Sequence, residues 1–89
     1  MLPLFESEKD GVRLYHNRVE LDRRGVLGTS TRTIYLHDIA EMRYSRGKSA
    51  ILVTKMRTCV AIEFSKKLAA QQFVNALNSI MPEPELKSM

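Results

Sequence analysis

Eighty-nine residues are enough for one hydrophobic core and too few for two, so a single domain is expected. A hydrophobic share of 44% beside 27% charged residues is the ordinary balance of a folded protein and argues against disorder through the bulk of the chain. The lone cysteine, Cys59, excludes an internal disulfide and a cysteine-based zinc site, and fits a reducing compartment.

Met1 to Phe5 is only briefly apolar and is followed by Glu6, so no secretory signal is expected. No run approaches the roughly 18 apolar residues of a spanning helix. The expectation is a soluble, cytoplasmic protein, peripheral to a membrane at most. The formal net charge of +4 is unevenly spread: residues 11–67 hold twelve of the fourteen Lys and Arg but five of the ten acids, a net +7, and the two ends together carry −3. A basic body is compatible with anionic lipid, nucleic acid or an acidic protein, and equally with plain solubilising charge.

In chain order, Leu4 to Lys9 reads as an edge strand or a flexible arm, and Lys9-Asp10-Gly11 as a turn. Val12, Leu14 and His16 alternate with Arg13, Tyr15 and Asn17, and Val19 and Leu21 with Arg18, Glu20 and Asp22. These are two half-buried strands meeting at His16-Asn17, where Asn tolerates the positive φ of a tight hairpin. Arg24-Gly25-Val26-Leu27-Gly28 is the next connection. Thr29 to Leu36, rich in β-branched residues, is a long strand with Ile34 and Leu36 inward.

His37-Asp38 interrupts the pattern, and Ile39 to Tyr44 resumes it with Ala40, Met42 and Tyr44 sharing a face. Ser45 to Lys48 is a turn, Ala50 to Lys55 a compact strand and Met56-Arg57 a tight connection. Thr58, Val60, Ile62 and Phe64 then alternate with Cys59, Ala61 and Glu63. At Ser65, the expected N-cap, the period becomes helical: Ala69, Phe73, Ala76, Leu77 and Ile80 form one stripe, and Pro82 and Pro84 end it. A helix over 66–81 would be about 24 Å long, enough to cover one side of a small β structure. Residues 1–82 are thus one domain, and 83–89 a flexible tail.

Seven strands followed by one helix resemble the pleckstrin-homology-like (PH-like) fold, and the local text is similar to bacterial PH-like domains. Tyr15-His16-Asn17-Arg18-Val19-Glu20-Leu21-Asp22-Arg23-Arg24-Gly25-Val26-Leu27-Gly28 followed by Thr33-Ile34-Tyr35-Leu36-His37-Asp38-Ile39 carries the likeness. So does Ala61-Ile62-Glu63-Phe64-Ser65-Lys66-Lys67 leading into the helix. The resemblance covers roughly residues 11–81 and implies a seven-stranded antiparallel barrel or orthogonal sandwich, mainly β, capped by the C-terminal helix. Two departures stand against specific phosphoinositide recognition. The His16-Asn17 hairpin is short and lacks the Lys and Arg-x-Arg set of lipid-binding members, and the final helix has no Trp.

Antiparallel parity sends the connections near 9–11, 23–28 and 46–48 and the helix start to one rim, which would gather Lys9, Arg23, Arg24, Arg46, Lys48, Lys66 and Lys67. With Val26 and Leu27 at a turn tip, this rim is the candidate surface for an acidic protein or an anionic membrane. Solvated turn charge is the competing reading, and for Val26 and Leu27 a hairpin folded back onto the core.

The opposite end would collect His16, His37 and Asp38 with Lys55 and Arg57. Two His and one Asp without fixed spacing do not make a metal site, and Asp38 suits a turn hydrogen bond. Cys59 has no base on a neighbouring patterned position, and there is no phosphate loop, nucleophile elbow or paired carboxylate. Gly25-Val26-Leu27-Gly28 is a hairpin loop and no nucleotide fingerprint. Phe5, Tyr15, Tyr35 and Tyr44 fit cross-strand packing better than a base-stacking platform. The expected function is a binding or assembly module without a cofactor, metal or enzymatic activity of its own. A homo-oligomer joined through an open sheet edge is the alternative, and a nucleic-acid-binding module a more remote one.

Overall fold

A computed structural model describes residues 2–25, 28–44 and 47–81, with the backbone alone at 24 and 25. Its elements are β1 (Phe5–Ser7), β2 (Val12–Leu14), β3 (Arg18–Gly25), β4 (Gly28–Tyr35), a 3-10 turn (Leu36–Asp38), β5 (Ile39–Tyr44), β6 (Ser49–Thr54), β7 (Cys59–Glu63) and α1 (Lys67–Ile80). The strands form two antiparallel sheets, β1-β2-β3-β4 and β5-β6-β7. The mainly β class with a C-terminal helix therefore stands, and the leading segment is an edge strand. The closed barrel does not: among the described residues no strand of one sheet pairs with a strand of the other. The Leu36–Asp38 turn takes the chain round the corner after β4, and the three strands beyond it pair only with one another.

Alternation sets which face is buried. Val12, Leu14, Val19 and Ile34 point inward from the first sheet, and Leu52, Val60 and Ile62 from the second. The helix packs on β1 and β6, so it ties the free edge of the first sheet to the middle of the second. Phe73 drives this contact, with its ring 5.4 Å from that of Phe64 and 5.6 Å from that of Phe5. Fully burying one such ring contributes about 2–3 kcal/mol before entropy is counted.

Several expectations are corrected. Ala40 is exposed, because a bulge between Ile39 and Glu41 shifts the register and turns Ile39, Met42 and Tyr44 toward the core. The helical stripe is rotated: Ala70, Phe73, Val74 and Leu77 are buried, while Ala69, Ala76 and Ile80 flank them. Asn17 does not adopt positive φ; among the described residues Arg57 is the one non-glycine that does, at 65°.

Ser65 is not the N-cap. That position is Lys66, with no side-chain cap, because Ser65 is held elsewhere: its N–H donates to Asp10 Oδ1 at 2.9 Å and its hydroxyl lies 3.5 Å from Asp10 Oδ2. The helix spans Lys67–Ile80 where 66–81 was expected. Val26, Leu27, Ser45, Arg46, Pro82, Pro84 and the 83–89 tail lie outside the described residues. No described helix is long and apolar enough to cross a membrane.

Candidate functional site

Main-chain hydrogen bonds show which connections meet. The N–H of Phe64 donates to Lys48 O at 2.8 Å, Ser65 reaches Asp10 as described, and Asp22 N–H donates to Gly11 O at 2.8 Å. The Lys9-Asp10-Gly11 turn, Lys48 and the start of the helix at Lys66 and Lys67 therefore share one end of the fold. Arg23 borders the same region, in a groove of about 210 Å³ floored by Val12, Leu21 and Ile62 and edged by Asp10, Arg32 and Glu63.

The expected rim is thus assembled for Lys9, Arg23, Lys48, Lys66 and Lys67. Arg24 is present as backbone, paired with Thr29. The rim is not purely basic. Glu8, Asp10 and Asp22 line an adjoining hollow with Lys9, so acids interleave the cations at the β1–β2 turn.

Pairing separates these cations from those on the sheet faces, although Arg32, Lys55 and Arg57 are likewise without an ion pair among the described residues. On the outer face of the first sheet Arg13 makes two bonds to Asp22, at 2.8 and 2.9 Å, and a third to Glu20 at 3.3 Å. Arg18 donates to Glu20 at 2.8 Å and stacks over Tyr15 at 4.2 Å. Arg43 pairs with Glu41 at 2.7 Å. The hydrogen bond to Asp22, aided by Glu20, raises the Arg13 pKa, and the bonds from Arg18 and then Arg13 hold Glu20 below its ordinary value against partial desolvation.

Among the described residues Lys9, Arg23, Lys48, Lys66 and Lys67 make no such ion pair. Lys66 and Lys67 also stand at a helix start that has no side-chain cap and no acid in its first turn. Both lysines add to the positive end of the helix dipole where an acid would ordinarily offset it.

A second group of connections also meets. Leu36 N–H donates to Asn17 O at 2.9 Å, and Lys55 N–H to Asp38 O at 2.8 Å, which brings the 16–17, 36–38 and 55–57 turns into one neighbourhood. His37 lies 3.6 Å from Asp38 and stacks on Tyr35, and no cluster of three metal-ligating side chains occurs among the described residues.

The three-residue tip Lys55-Met56-Arg57 is closed by Arg57 N–H on Thr54 O at 2.8 Å and Thr54 N–H on Thr58 O at 2.9 Å. This is a turn followed by a left-handed residue, a place where glycine is the usual choice. Arginine there costs about 1 kcal/mol relative to glycine. Sequence reading located the tight connection but not this conformation, since arginine carries no signal for positive φ.

Hydrogen-bond parity also defines two open edges. Because Asn17 accepts from Leu36, the β4 residues that face β3 are Ile34, Arg32 and Ser30, and the main-chain groups of Thr29, Thr31, Thr33 and Tyr35 face away. Likewise Thr58 and Phe64 pair with β6, so those of Cys59, Ala61 and Glu63 face away on β7. The Cys59 side chain is exposed. The aromatics are dispersed: Phe5 joins the core rings, Tyr15 meets Arg18, Tyr35 meets His37, and the Tyr44 hydroxyl donates to Gly47 O at 3.3 Å.

Comparisons with protein-family models, with curated proteins and with solved structures find no match to this chain.

Proposed function

We propose that this chain is a non-enzymatic PH-like binding module that holds an acidic protein partner on the end carrying Lys9, Arg23, Lys48, Lys66 and Lys67. Arg24, Val26, Leu27 and Arg46 belong to the same proposed surface by their place in the sequence. The observation that carries this reading is the gathering, beside a helix start with no side-chain cap, of five cations without ion-pair partners among the described residues, while Arg13, Arg18 and Arg43 on the sheets are internally paired.

An unpaired, solvated cation retains its full capacity to gain a carboxylate, whereas a paired one must first give one up. The uncapped helix start beside Lys66 and Lys67 adds donors for the same anionic groups. The order of four strands, three strands and a terminal helix supports the PH-like part of the proposal. A cytoplasmic setting belongs to the proposal with it. Titration of a glutamate-rich peptide at low and high salt tests the function: affinity that falls steeply with salt supports it, and affinity indifferent to salt overturns it.

A second reading, self-association through an open sheet edge, is favoured by β4. Its outward main-chain groups at Thr29, Thr31 and Thr33 are unpaired among the described residues, and the strand has no proline, with Arg32 its one charged side chain. Thr31→Pro removes an outward donor without breaking the β3 pairing. Light scattering that shows a dimer for the native chain and a monomer for this variant supports the reading, and a strict monomer at high concentration for both rejects it.

A further inference from the structure

The Lys55-Met56-Arg57 tip has three features the proposed partner surface does not use. Met56 is 87% exposed and borders the cleft that opens beside the turn. Lys55 and Arg57 flank it, and neither has an ion-pair partner among the described residues. Arg57 is held at φ 65° in a position that suits glycine, so the chain keeps a cation there at a cost in backbone strain.

Directly beneath the tip is a cleft of about 240 Å³. Arg32, Lys55 and Met56 line it with Ile34 and three threonines, and Asp38 is the one acid among its described lining residues. The Thr54 hydroxyl accepts the Thr58 N–H at 3.1 Å and is left with a proton to donate.

We propose that this tip docks on an anionic bilayer, with Met56 entering the interfacial layer, Lys55 and Arg57 against the headgroups, and one lipid phosphate received between Arg32 and Lys55. Charge complementarity selects an anionic partner, and the shape of the tip selects a bilayer: one protruding apolar side chain ringed by cations suits a fluid interface, whereas a protein groove would need a broader apolar face. The tip is distinct from Lys48, Lys66 and Lys67, and although Arg32 borders the grooves at both places, variants at Met56 and Arg57 test this proposal separately from the rim.

Co-sedimentation of the full chain with phosphatidylglycerol vesicles and with phosphatidylcholine vesicles tests it. The expected result is partition onto the anionic vesicles only, reduced about tenfold by Met56→Asp and kept by Met56→Leu, with free glycerol phosphate a poor competitor. Arg57→Gly is the discriminating variant, because relief of strain raises the melting temperature by a few degrees while loss of the cation weakens vesicle binding. A purely structural turn would show the first effect without the second. Equal partition of the native and Met56→Asp chains, no partition onto anionic vesicles, or tip binding to an acidic peptide in place of vesicles overturns the proposal. So does a loss produced equally by reversing Lys66 and Lys67.

Discussion

The carboxylate of Asp10 accepts the main-chain N–H of Ser65 at 2.9 Å across 55 residues of sequence, and so pins the β1–β2 turn to the start of the helix. The same carboxylate accepts the Ser7 hydroxyl at 2.8 Å, which fixes its orientation within the turn. One short side chain thus joins the first sheet to the end of the second, at the end of the fold where Lys48, Lys66 and Lys67 gather.

Replacing Asp10 by Ala leaves the Ser65 N–H without its protein partner and removes the side-chain link between these two segments. The site is solvent-accessible, so the loss is about 1 kcal/mol and the melting temperature falls by about 4–8 °C. Asp10→Asn keeps a carbonyl acceptor and loses less. Thermal unfolding followed by circular dichroism measures both, and an unchanged midpoint for Asp10→Ala would show that the bond holds nothing together.

Gly11 is constrained twice. Its φ is 69°, and a Cβ added there would lie 3.0 Å from Cβ of Asp22, whose main chain bonds back to Gly11. Asp22 is not free to retreat, since it is also held by Arg13 and by the Thr31 hydroxyl. Gly11→Ala is expected to cost about 1–3 kcal/mol in chemical denaturation. Gly28→Ala, with φ 125° but open space around the added atom, tests the conformational part alone.

Glu20 accepts from both Arg18 and Arg13, and its folded pKa lies below the ordinary 4.5. Its contribution is therefore complete above pH 4.5 and is lost as the pH falls through the lower folded value. Glu20→Gln should destabilise the protein at neutral pH by on the order of 0.5 kcal/mol and flatten that part of the acid limb. Denaturation midpoints for the two chains that run parallel down to low pH would contradict the assignment.

How much of this was legible in the sequence depends on how local the determining interaction is. Val60, Ile62 and Phe64 announce β7 because burial on one face leaves a period of two in the text. The bulge at Ala40 leaves no such mark: Ala40, Met42 and Tyr44 alternate without a break, and only pairing with Val53 and Thr54 reveals the extra residue. Ser65 has the composition of a cap, but a carboxylate 55 residues away competes for it. The rotation of the helix toward Ala70 and Val74 follows from contact with β1 and β6 together, which a single amphipathic stripe does not encode.

The rim was legible in outline because antiparallel parity places alternate turns together. The absence of ion pairs at its lysines among the described residues was not, since that depends on rotamers and on which acids the sheet face already holds. Arg32 was missed as a lining residue. It shares an inward parity with Ile34, yet lies where the two sheets part, and both clefts open onto it.

On the proposed reading, the cations at the helix start that have no ion pair among the described residues, and not basicity in general, form the partner surface. Anisotropy titration of a labelled glutamate-rich peptide against three chains at low salt tests this most directly: the native protein, Lys48→Glu/Lys66→Glu/Lys67→Glu, and the charge-reversed control Arg43→Glu. The account predicts binding by the native chain and the control, and none by the triple variant once its circular dichroism matches that of the native fold. Equal binding by the folded triple variant, or a loss in the control as large as in the triple variant, would contradict it.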